Sequence, residues 1–491
     1  MRRCRPALAR AAFALAVALP LHAAAQDPTT PCRIPGLHHE VRCGSVTRPL
    51  DPARPAGPQL QVHYAVVPAM ARRKLPDPVF LLAGGPGQSA ISLAGSVMPL
   101  FQRLNNRRDI VFVDQRGTGR SAPLACDDVP AASLADEADP ARQFARMAAC
   151  RDRLAQRAPL TGVADLGFFT TPLAMQDLDA VRAQLGAARI DLVGASYGTR
   201  AALDYQRQFP QRVRRSVLDG VAPPDMVLPA SFSTDGQRAF DALLASCEAE
   251  RACAGAHPTL RGDWAALLAG LPREIQVADP LSGRPERLVL TRDMLLGAVR
   301  GTLYAPWIAA ALPAALAEAT QGRFGALVGL AGLLNARRAN GLAMGMHFSV
   351  ICAEDVPRMA QATDPPGADF GRTLGELYQR VCAGWPRGPV PADFYTLPPA
   401  ASPVLLLSGG LDPITPPRHA ARVAQALGPK ARALVAPNAG HGVMGLACTR
   451  DLIQRFIEAD AEADALAVDA GCLAAVPRPP AFVPVQPGAR P

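Results

Sequence analysis

The sequence has 491 residues, of which 51 are Lys or Arg and 42 are Asp or Glu, giving a formal net charge of +9 at pH 7. Residues 1–25 contain four of the arginines and no acidic residue, so the remainder carries a net charge of about +5. A charge this small and this scattered argues against nucleic acid as a partner, and the length suffices for one large domain with an insertion or for two or three ordinary domains.

The first 25 residues have the pattern of a secretory signal peptide. Four arginines precede an apolar stretch at 11–21 and the small residues Ala23, Ala24 and Ala25. The apolar stretch is too short to span a bilayer, and no later segment offers about 20 consecutive apolar residues. We therefore expect cleavage near Ala25, export to the periplasm or the medium, and no membrane span in the mature chain.

Ten cysteines follow residue 25, and an even number of cysteines in an exported chain predicts disulfides. Metal binding is the alternative, but the chain has no Cys-x-x-Cys and no histidine cluster, so we expect no metal. The sequence does not determine the connectivity, although the spacing favours pairs of neighbouring cysteines. These pairs are Cys32 with Cys43, Cys126 with Cys150, Cys247 with Cys253, Cys352 with Cys382, and Cys448 with Cys472.

Strand-like and helix-like segments alternate over residues 60–220. Apolar or alternating runs predict β-strands, and the amphipathic segment 171–185 predicts a helix between two of them. This alternation is typical of a mostly parallel sheet covered by helices. The predicted strands are 60–67, 79–83, 110–113, 190–193 and 213–218.

From about residue 224 the sequence changes to Ala- and Leu-rich helices interrupted by Pro and Gly. Strand patterns resume at 403–407 and 431–436 and are followed by a helix at 451–459. We therefore predict an α/β core interrupted by a large helical insertion that forms a cap, with an extended or loosely attached tail. The segments are 1–25 (signal peptide), 26–223 (first part of the core), 224–398 (mainly helical cap), 399–476 (second part of the core) and 477–491 (proline-rich tail).

Residues 190–200 pass from a strand pattern through Gly194-Ala195-Ser196-Tyr197-Gly198 into helix-forming sequence. A serine turned sharply between a strand and a helix needs small residues two positions before and after it, which glycine supplies. The hydroxyl is then held above the sheet, near the N–H groups of the following helix. We predict that Ser196 is a nucleophile, although Gly-x-Ser-x-Gly alone is also compatible with an ordinary turn.

A serine nucleophile needs a base, and the base needs an orienting acid. Asp412 and His441 each directly follow one of the two strands after the insertion, and glycines flank His441. Serine, acid and histidine follow one another in this order in the α/β-hydrolase fold, which gathers such groups at strand ends. We therefore predict Asp412 as the acid and His441 as the base, with Asp219 as the rival acid.

An oxyanion hole needs two backbone N–H groups aimed at one point. Tyr197 N–H, directly after the nucleophile, is one expected donor. The second is expected from the Gly-Gly-Pro-Gly loop after the strand at 79–83, with Gly85 preferred and Gly84 as the alternative. A purely structural turn is the other interpretation of this loop.

Four motifs together carry a family resemblance: Gly-Gly-Pro-Gly-Gln-Ser at 84–89, Asp-Gln-Arg-Gly-Thr-Gly-Arg-Ser at 114–121, Gly-Ala-Ser-Tyr-Gly at 194–198 and Gly-Leu-Asp-Pro at 410–413. They resemble the proline iminopeptidase and tripeptidyl aminopeptidase family of α/β-hydrolase serine peptidases. The exported, cysteine-bearing chain with its long cap is especially similar to the secreted tripeptidyl aminopeptidase branch. It departs from many proline iminopeptidases in having Ala83, where they have His.

The resemblance extends to an acidic segment in the cap. An aminopeptidase must hold the α-ammonium group of its substrate, for which a buried carboxylate is the natural partner. Residues 350–355 resemble a Cys-x-Glu-Asp segment of the tripeptidyl aminopeptidase branch, which implies Glu354 as the anchor and Asp355 as the second choice. An exposed or locally paired acid is the alternative interpretation. We expect Arg116, in the 114–121 motif, to be structural.

The sequence therefore predicts an exported serine exopeptidase, an aminopeptidase that hydrolyses short peptides through an acyl-enzyme without a cofactor. A carboxylesterase or lipase-type hydrolase with the same triad is the first alternative, because the triad attacks either kind of carbonyl. A non-catalytic binding protein on a hydrolase fold is the second alternative. The intact serine, acid and histidine set argues against that second alternative.

Overall fold

The computed structural model describes residues 27–126, 133–280, 282–339 and 341–484, so the predicted signal peptide and the end of the tail lie outside the described residues. Its strands are β1 (Thr30–Cys32), β2 (Val41–Pro49), β3 (Gln59–Val67), β4 (Val79–Leu82), β5 (Ile110–Val113), β6 (Ile190–Ala195), β7 (Val213–Asp219), β8 (Arg273–Ala278), β9 (Pro285–Leu290), β10 (Val404–Gly409) and β11 (Ala431–Ala436). One nine-stranded sheet has the order β1-β2-β3-β5-β4-β6-β7-β10-β11, and β8 and β9 form a separate hairpin.

Helices cover the sheet and make up most of the insertion. The α-helices are α1 (Ala90–Asn105), α2 (Leu134–Ala138), α3 (Pro140–Leu154), α4 (Thr171–Gln184), α5 (Tyr197–Gln208), α6 (Leu228–Ala249), α7 (Arg251–Ala256), α8 (Leu260–Ala269), α9 (Arg292–Leu303), α10 (Pro306–Ala309), α11 (Leu312–Thr320), α12 (Gly325–Ala339), α13 (Met344–Glu354), α14 (Thr373–Ala383), α15 (Pro417–Leu427), α16 (Ala447–Glu458) and α17 (Glu462–Leu466). Short 3-10 helices lie at Val163–Phe168, Pro210–Arg212, Val356–Gln361, Ala392–Tyr395, Gly428–Lys430 and Gly471–Leu473.

The central strands are continuous apolar runs because both faces of the sheet are covered. β4 reads Val-Phe-Leu-Leu and β5 reads Ile-Val-Phe-Val, and every one of these residues is buried. β1, β2, β3 and β5 pair antiparallel, whereas β5, β4, β6, β7, β10 and β11 pair parallel. The carboxyl ends of the parallel strands therefore meet at one edge, which is where such sheets place their sites.

The insertion between β7 and β10 has two parts. Helices α6 to α12 and the β8–β9 hairpin pack around their own apolar cluster, which includes Phe240, Trp264 and Leu316. In contrast, α13 contributes Met346 and Ile351 to an apolar cluster shared with the main sheet. The last part of the insertion is thus held by the core.

The described part of the proline-rich tail lies across the cap. Phe482 N–H donates to Ala310 O at 2.8 Å, and Ala481 N–H donates to Glu250 Oε2 at 3.2 Å. Arg478 reaches Ala242 O at 3.3 Å. This segment has no regular secondary structure, as expected, but it is attached and not loose.

The structure forms all five disulfides that the cysteine spacing favours. The Cys32–Cys43 bridge joins β1 to β2, and the Cys352–Cys382 bridge joins α13 to α14. The Cα–Cα distances range from 5.1 Å to 6.3 Å, within the usual range for disulfides.

A buried ion pair joins the loop after β5 to helix α4. Arg116 Nε lies 2.7 Å from Asp177 Oδ2 and Arg116 Nη2 lies 2.8 Å from Asp177 Oδ1, and both side chains are about 1% exposed. Arg116 Nη1 also donates to Leu50 O at 3.0 Å and to Phe168 O at 2.9 Å. Arg116 therefore has the structural role expected from the sequence.

We expect Arg116→Met to lower the free energy of unfolding by about 3 kcal/mol or more, because it leaves Asp177 buried with Arg48 as its one cationic partner among the described residues. Urea unfolding followed by circular dichroism measures this change. Arg103→Met, which breaks the exposed pair with Asp451, is the control and should cost less than about 1 kcal/mol. Equal costs for the two variants would contradict the prediction.

Candidate active site

Ser196 lies in a strained turn between β6 and α5. Its backbone has φ 55° and ψ −123°, a conformation that residues with a side chain rarely adopt. The turn is held because Ser196 N–H donates to Asp219 O at 2.8 Å. Thr199 donates to Ser196 O from both its N–H, at 2.9 Å, and its hydroxyl, at 2.6 Å.

The glycines on either side of Ser196 are required by the packing of the turn. A Cβ atom added at Gly194 would lie 2.5 Å from Gly198 O, and one added at Gly198 would collide with the carbonyl oxygen of Leu82. The obstacles are backbone atoms of β4 and α5, which cannot move aside as a flexible side chain can. The Gly-x-Ser-x-Gly spacing is therefore a steric requirement of this turn.

Asp412 and His441 are brought together from the loops after β10 and β11. His441 Nδ1 lies 2.8 Å from Asp412 Oδ2, which also accepts from the Thr415 hydroxyl at 2.7 Å. The other oxygen, Oδ1, accepts from Ile414 N–H at 2.8 Å and from Thr415 N–H at 2.9 Å. Burial by itself raises the pKa of Asp412, but His441 and these donors outweigh burial and hold the pKa below its usual value.

His441 is held by both the core and the cap. The backbone N–H of His441 donates to the backbone carbonyl oxygen of Tyr304 at 2.9 Å. The Tyr304 ring also contacts the imidazole edge-on, with the ring centroids 5.0 Å apart. A Cβ atom added at Gly220 would lie 3.3 Å from His441 Cε1. Because Gly220 follows Asp219, whose carbonyl binds Ser196 N–H, the imidazole and the serine turn border the same short stretch of backbone.

Asp219, the rival acid, binds the backbone of the loop that follows His441. Both of its carboxylate oxygens lie 2.9 Å from Val443 N, and Met444 N–H donates to Oδ2 at 2.9 Å. Burial raises the pKa of Asp219 to about 6, although the two N–H groups oppose the shift. Asp219 therefore holds the loop after His441, while Asp412 pairs with the imidazole.

The loop after β4 lies against the serine. A Cβ atom added at Gly84 would lie 3.2 Å from Ser196 Cβ, and Gly85 has φ 112°, which favours glycine. Within the part of the chain that the structure describes, neither Gly85 N–H nor Tyr197 N–H has a hydrogen-bond acceptor. Ala343, from the cap, donates its N–H to Gly87 O at 2.9 Å and so ties this loop to the insertion.

Glu354 and Asp355 are buried and already paired. Asp355 accepts from Arg200 at 2.9 Å and 3.1 Å. Glu354 accepts from Thr171 N–H at 2.7 Å and from the Thr171 hydroxyl at 3.0 Å. Burial raises the pKa of Glu354 to about 8 even though Arg200 lies 3.5 Å away. Locally paired acids are thus what the structure contains, which argues against Glu354 or Asp355 as an anchor for a substrate amine.

Thr415 contacts Asp412 and Tyr304 contacts His441, and sequence reasoning missed both contacts. Thr415 lies three residues after Asp412, a spacing at which a hydroxyl can reach a carboxylate, so this contact was detectable in principle. Tyr304 is distant in sequence, and no local pattern marks it. The described residues contain no group of His, Cys, Asp and Glu side chains that could hold a metal ion, and no helix among them is long and apolar enough to cross a membrane.

We expect Gly198→Ala to reduce the yield of folded protein or to destabilise it by about 3 kcal/mol or more, because the added methyl group meets the backbone of β4. Gly297→Ala is the matched control. Gly297 lies within α9 with open space around its Cα, so alanine there should stabilise the protein by about 0.5–1 kcal/mol. Thermal unfolding distinguishes the two, and a neutral Gly198→Ala variant would contradict the steric argument.

We expect the stability of Asp219→Asn relative to the natural protein to rise with pH. The folded-state pKa of about 6 exceeds the unfolded value of about 3.9, so the folded chain retains a proton that the unfolded chain releases between these values. The natural protein therefore loses stability across this window, by about 3 kcal/mol in total, and the asparagine variant does not. Unfolding free energies from below pH 4 to above pH 6 measure the difference, and a difference that stays constant across this window would contradict the prediction.

The sequence profile of the family described as alpha/beta hydrolase fold matches residues 77–446 of this chain. The chain is 27% identical over 429 residues to the serine protease Hip1 of Mycobacterium tuberculosis strain H37Rv, covering 79% of this chain and 80% of the relative. It is 32% identical over 204 residues to the tripeptidyl aminopeptidase of Streptomyces lividans, covering 38% and 36%. It is also 28% identical over 427 residues to carboxylesterase B of the same Mycobacterium strain, covering 79% and 78%.

The family match extends over well over half of the chain and includes the segments that carry Ser196, Asp412 and His441. The parallel sheet, with its loops gathered at one edge, agrees with this match and confirms the predicted fold class. The chain belongs to the α/β-hydrolase fold family.

Proposed function

We propose that this protein is an exported serine exopeptidase, an aminopeptidase that hydrolyses short peptides through an acyl-enzyme. The observation that carries the proposal is the 2.8 Å contact between His441 Nδ1 and the buried Asp412 carboxylate, beside the strained turn of Ser196. With the proton on Nδ1 donated to Asp412, the other imidazole nitrogen, Nε2, is the acceptor that a base requires.

The proposed reaction has two halves. Ser196 Oγ attacks the peptide carbonyl while His441 Nε2 takes its proton, and the resulting imidazolium is stabilised by Asp412. His441 then gives the proton to the leaving amine, and a peptidyl ester remains on Ser196. In the second half His441 activates water, which hydrolyses the ester and releases Ser196.

Two backbone donors suit the negative charge that develops on the substrate oxygen. Tyr197 N–H lies in the first turn of α5, and Gly85 N–H lies in the loop that contacts Ser196 through Gly84. Both N–H groups lack an acceptor among the described residues, which makes them available to a ligand. We propose them as the oxyanion hole, with Gly84 N–H as the alternative.

Peptides are the favoured substrates for two reasons. Relatives of this chain are named serine protease and tripeptidyl aminopeptidase. In addition, the insertion contacts the site through Tyr304 and Ala343, and a cap at this position favours short chains over folded proteins. We propose no anchor residue for the substrate amine, because Glu354 and Asp355 are buried and paired.

Ester hydrolysis is the second candidate function. The relative named carboxylesterase B matches as much of this chain as Hip1 does, and the same triad attacks esters.

Export is proposed from the arginine-rich, apolar N-terminal pattern together with the five disulfides, which persist in oxidising compartments.

We expect the purified protein to cleave peptidyl amides with a free N-terminus and to lose this activity when the N-terminus is acetylated. Rates on matched free and N-acetylated peptidyl amides, and on aryl esters, test this expectation. Ser196→Ala should lower kcat by about 10⁴-fold or more, because the nucleophile is removed. The exposed control Ser96→Ala, in α1, should retain full activity.

The outcomes separate the three candidate functions. Turnover of amides that is unchanged by N-acetylation would contradict the aminopeptidase proposal, and turnover of esters alone would support the esterase. Absence of turnover together with failure of a serine-directed phosphonate to label Ser196 would indicate a binding protein.

A further inference from the structure

A cavity lies beside β3, toward one end of the main sheet. It has a volume of about 290 Å³, is open to solvent, and is lined by the Cys32–Cys43 bridge, the loop after β1, the first turn of α1, and His63 on β3. Strands β5 and β4 separate β3 from β6, which carries Ser196 at its end. Three strand spacings amount to about 14 Å, and none of the residues placed in the proposed active site lines this cavity.

Three nitrogen-bearing side chains line this cavity: Arg33, Arg120 and His63. Within the described ranges, none of the three side chains has a hydrogen-bond acceptor or a carboxylate partner. Burial lowers the pKa of His63, and the positive charge of Arg120 lowers it further, against the opposing effect of Asp114. The influence of Arg120 on His63 places the two side chains within electrostatic reach of each other.

Asp114 acts electrostatically on His63, but among the described residues it forms no ion pair with these arginines. Asp114 is about 1% exposed, and its Oδ1 accepts from the Ser89 hydroxyl at 2.6 Å and from Ile91 N–H at 3.1 Å. Its Oδ2 accepts from the backbone N–H of Arg120 at 3.1 Å. The Asp114 carboxylate therefore joins the start of α1 to the loop after β5, and it leaves the two guanidinium groups available to a ligand.

The remaining lining is mostly apolar, although Tyr64 and Ser92 add hydroxyl groups to it. Ile34, Pro35 and Ile91 face the cavity together with the disulfide, and the volume is at the lower end of the range for small-molecule sites. Guanidinium groups bind carboxylates in a planar, two-point geometry, whereas the apolar wall favours a hydrocarbon body.

We propose that this cavity binds a small carboxylate with an apolar body, of the size of one amino-acid residue with a free carboxyl group. Arg120 and Arg33 hold the carboxylate, His63 donates to it when protonated, and the apolar wall contacts the side chain. Binding at this cavity does not depend on the reaction at Ser196, so the proposed ligand can be tested separately from the proposed function.

Isothermal titration calorimetry of the full chain with N-acetyl-leucine tests the proposal, with N-acetyl-leucinamide and inorganic phosphate as comparison ligands. We expect N-acetyl-leucine to bind at least about tenfold more tightly than either, because only it offers both the charge and the apolar body. Arg120→Gln should weaken binding about tenfold or more, and about 0.5 M NaCl should weaken it as well. The control Arg72→Gln, at another exposed arginine, should leave binding unchanged.

Two further measurements distinguish the cavity from the active site. Labelling Ser196 with a phosphonate should leave the affinity for N-acetyl-leucine unchanged. Binding should also raise the pKa of His63, followed by the imidazole NMR signals, because a nearby anion favours the imidazolium ion. Equal binding of the amide or of phosphate, an Arg120→Gln variant that binds like Arg72→Gln, or loss of binding on phosphonate labelling would each overturn the proposal.

Discussion

The structure depends on one strained residue. Ser196 has a positive φ, and such a conformation costs about 1–3 kcal/mol, so it persists only where surrounding contacts compensate. Here Asp219 O accepts the serine N–H, Thr199 donates twice to the serine carbonyl, and Gly194 and Gly198 let β6, α5 and β4 approach closely. The turn therefore determines how near the helix comes to the sheet as well as where the hydroxyl points.

The pairing of Asp412 with His441 likewise persists because surrounding contacts compensate for an unfavourable state, which here is a buried charge. A buried carboxylate is unfavourable unless its oxygens are satisfied, and Asp412 has donors from Ile414, Thr415 and the imidazole. Asp219 is also buried, but its hydrogen-bond partners among the described residues are backbone N–H groups, and its pKa rises instead. The two neighbouring acids thus differ in pKa because their partners differ, and Asp412 is the one that pairs with His441.

The sequence predicted those parts that short-range patterns encode. Strand ends, the glycines around Ser196 and the order of Asp412 and His441 are local features, and the structure brings these residues to one edge of the sheet. The interpretation of Glu354 did not fit, because its environment is made by Thr171 and Arg200, which are distant in sequence. Likewise, composition alone suggested an extended or loosely attached tail, whereas contacts with α6 and with Ala310, directly after α10, attach it.

The contact between Tyr304 O and His441 N–H has a consequence for how this enzyme family can change. A cap is often regarded as a module that evolution or an engineer exchanges to alter substrate choice. Here the cap also supplies a backbone acceptor for the histidine loop, and Ala343 supplies a donor to the glycine loop beside the serine. A chimaera with a foreign cap would have to reproduce both main-chain contacts. The positions of Tyr304 and Ala343, and not the ends of the helical insertion, therefore determine which segments can be exchanged.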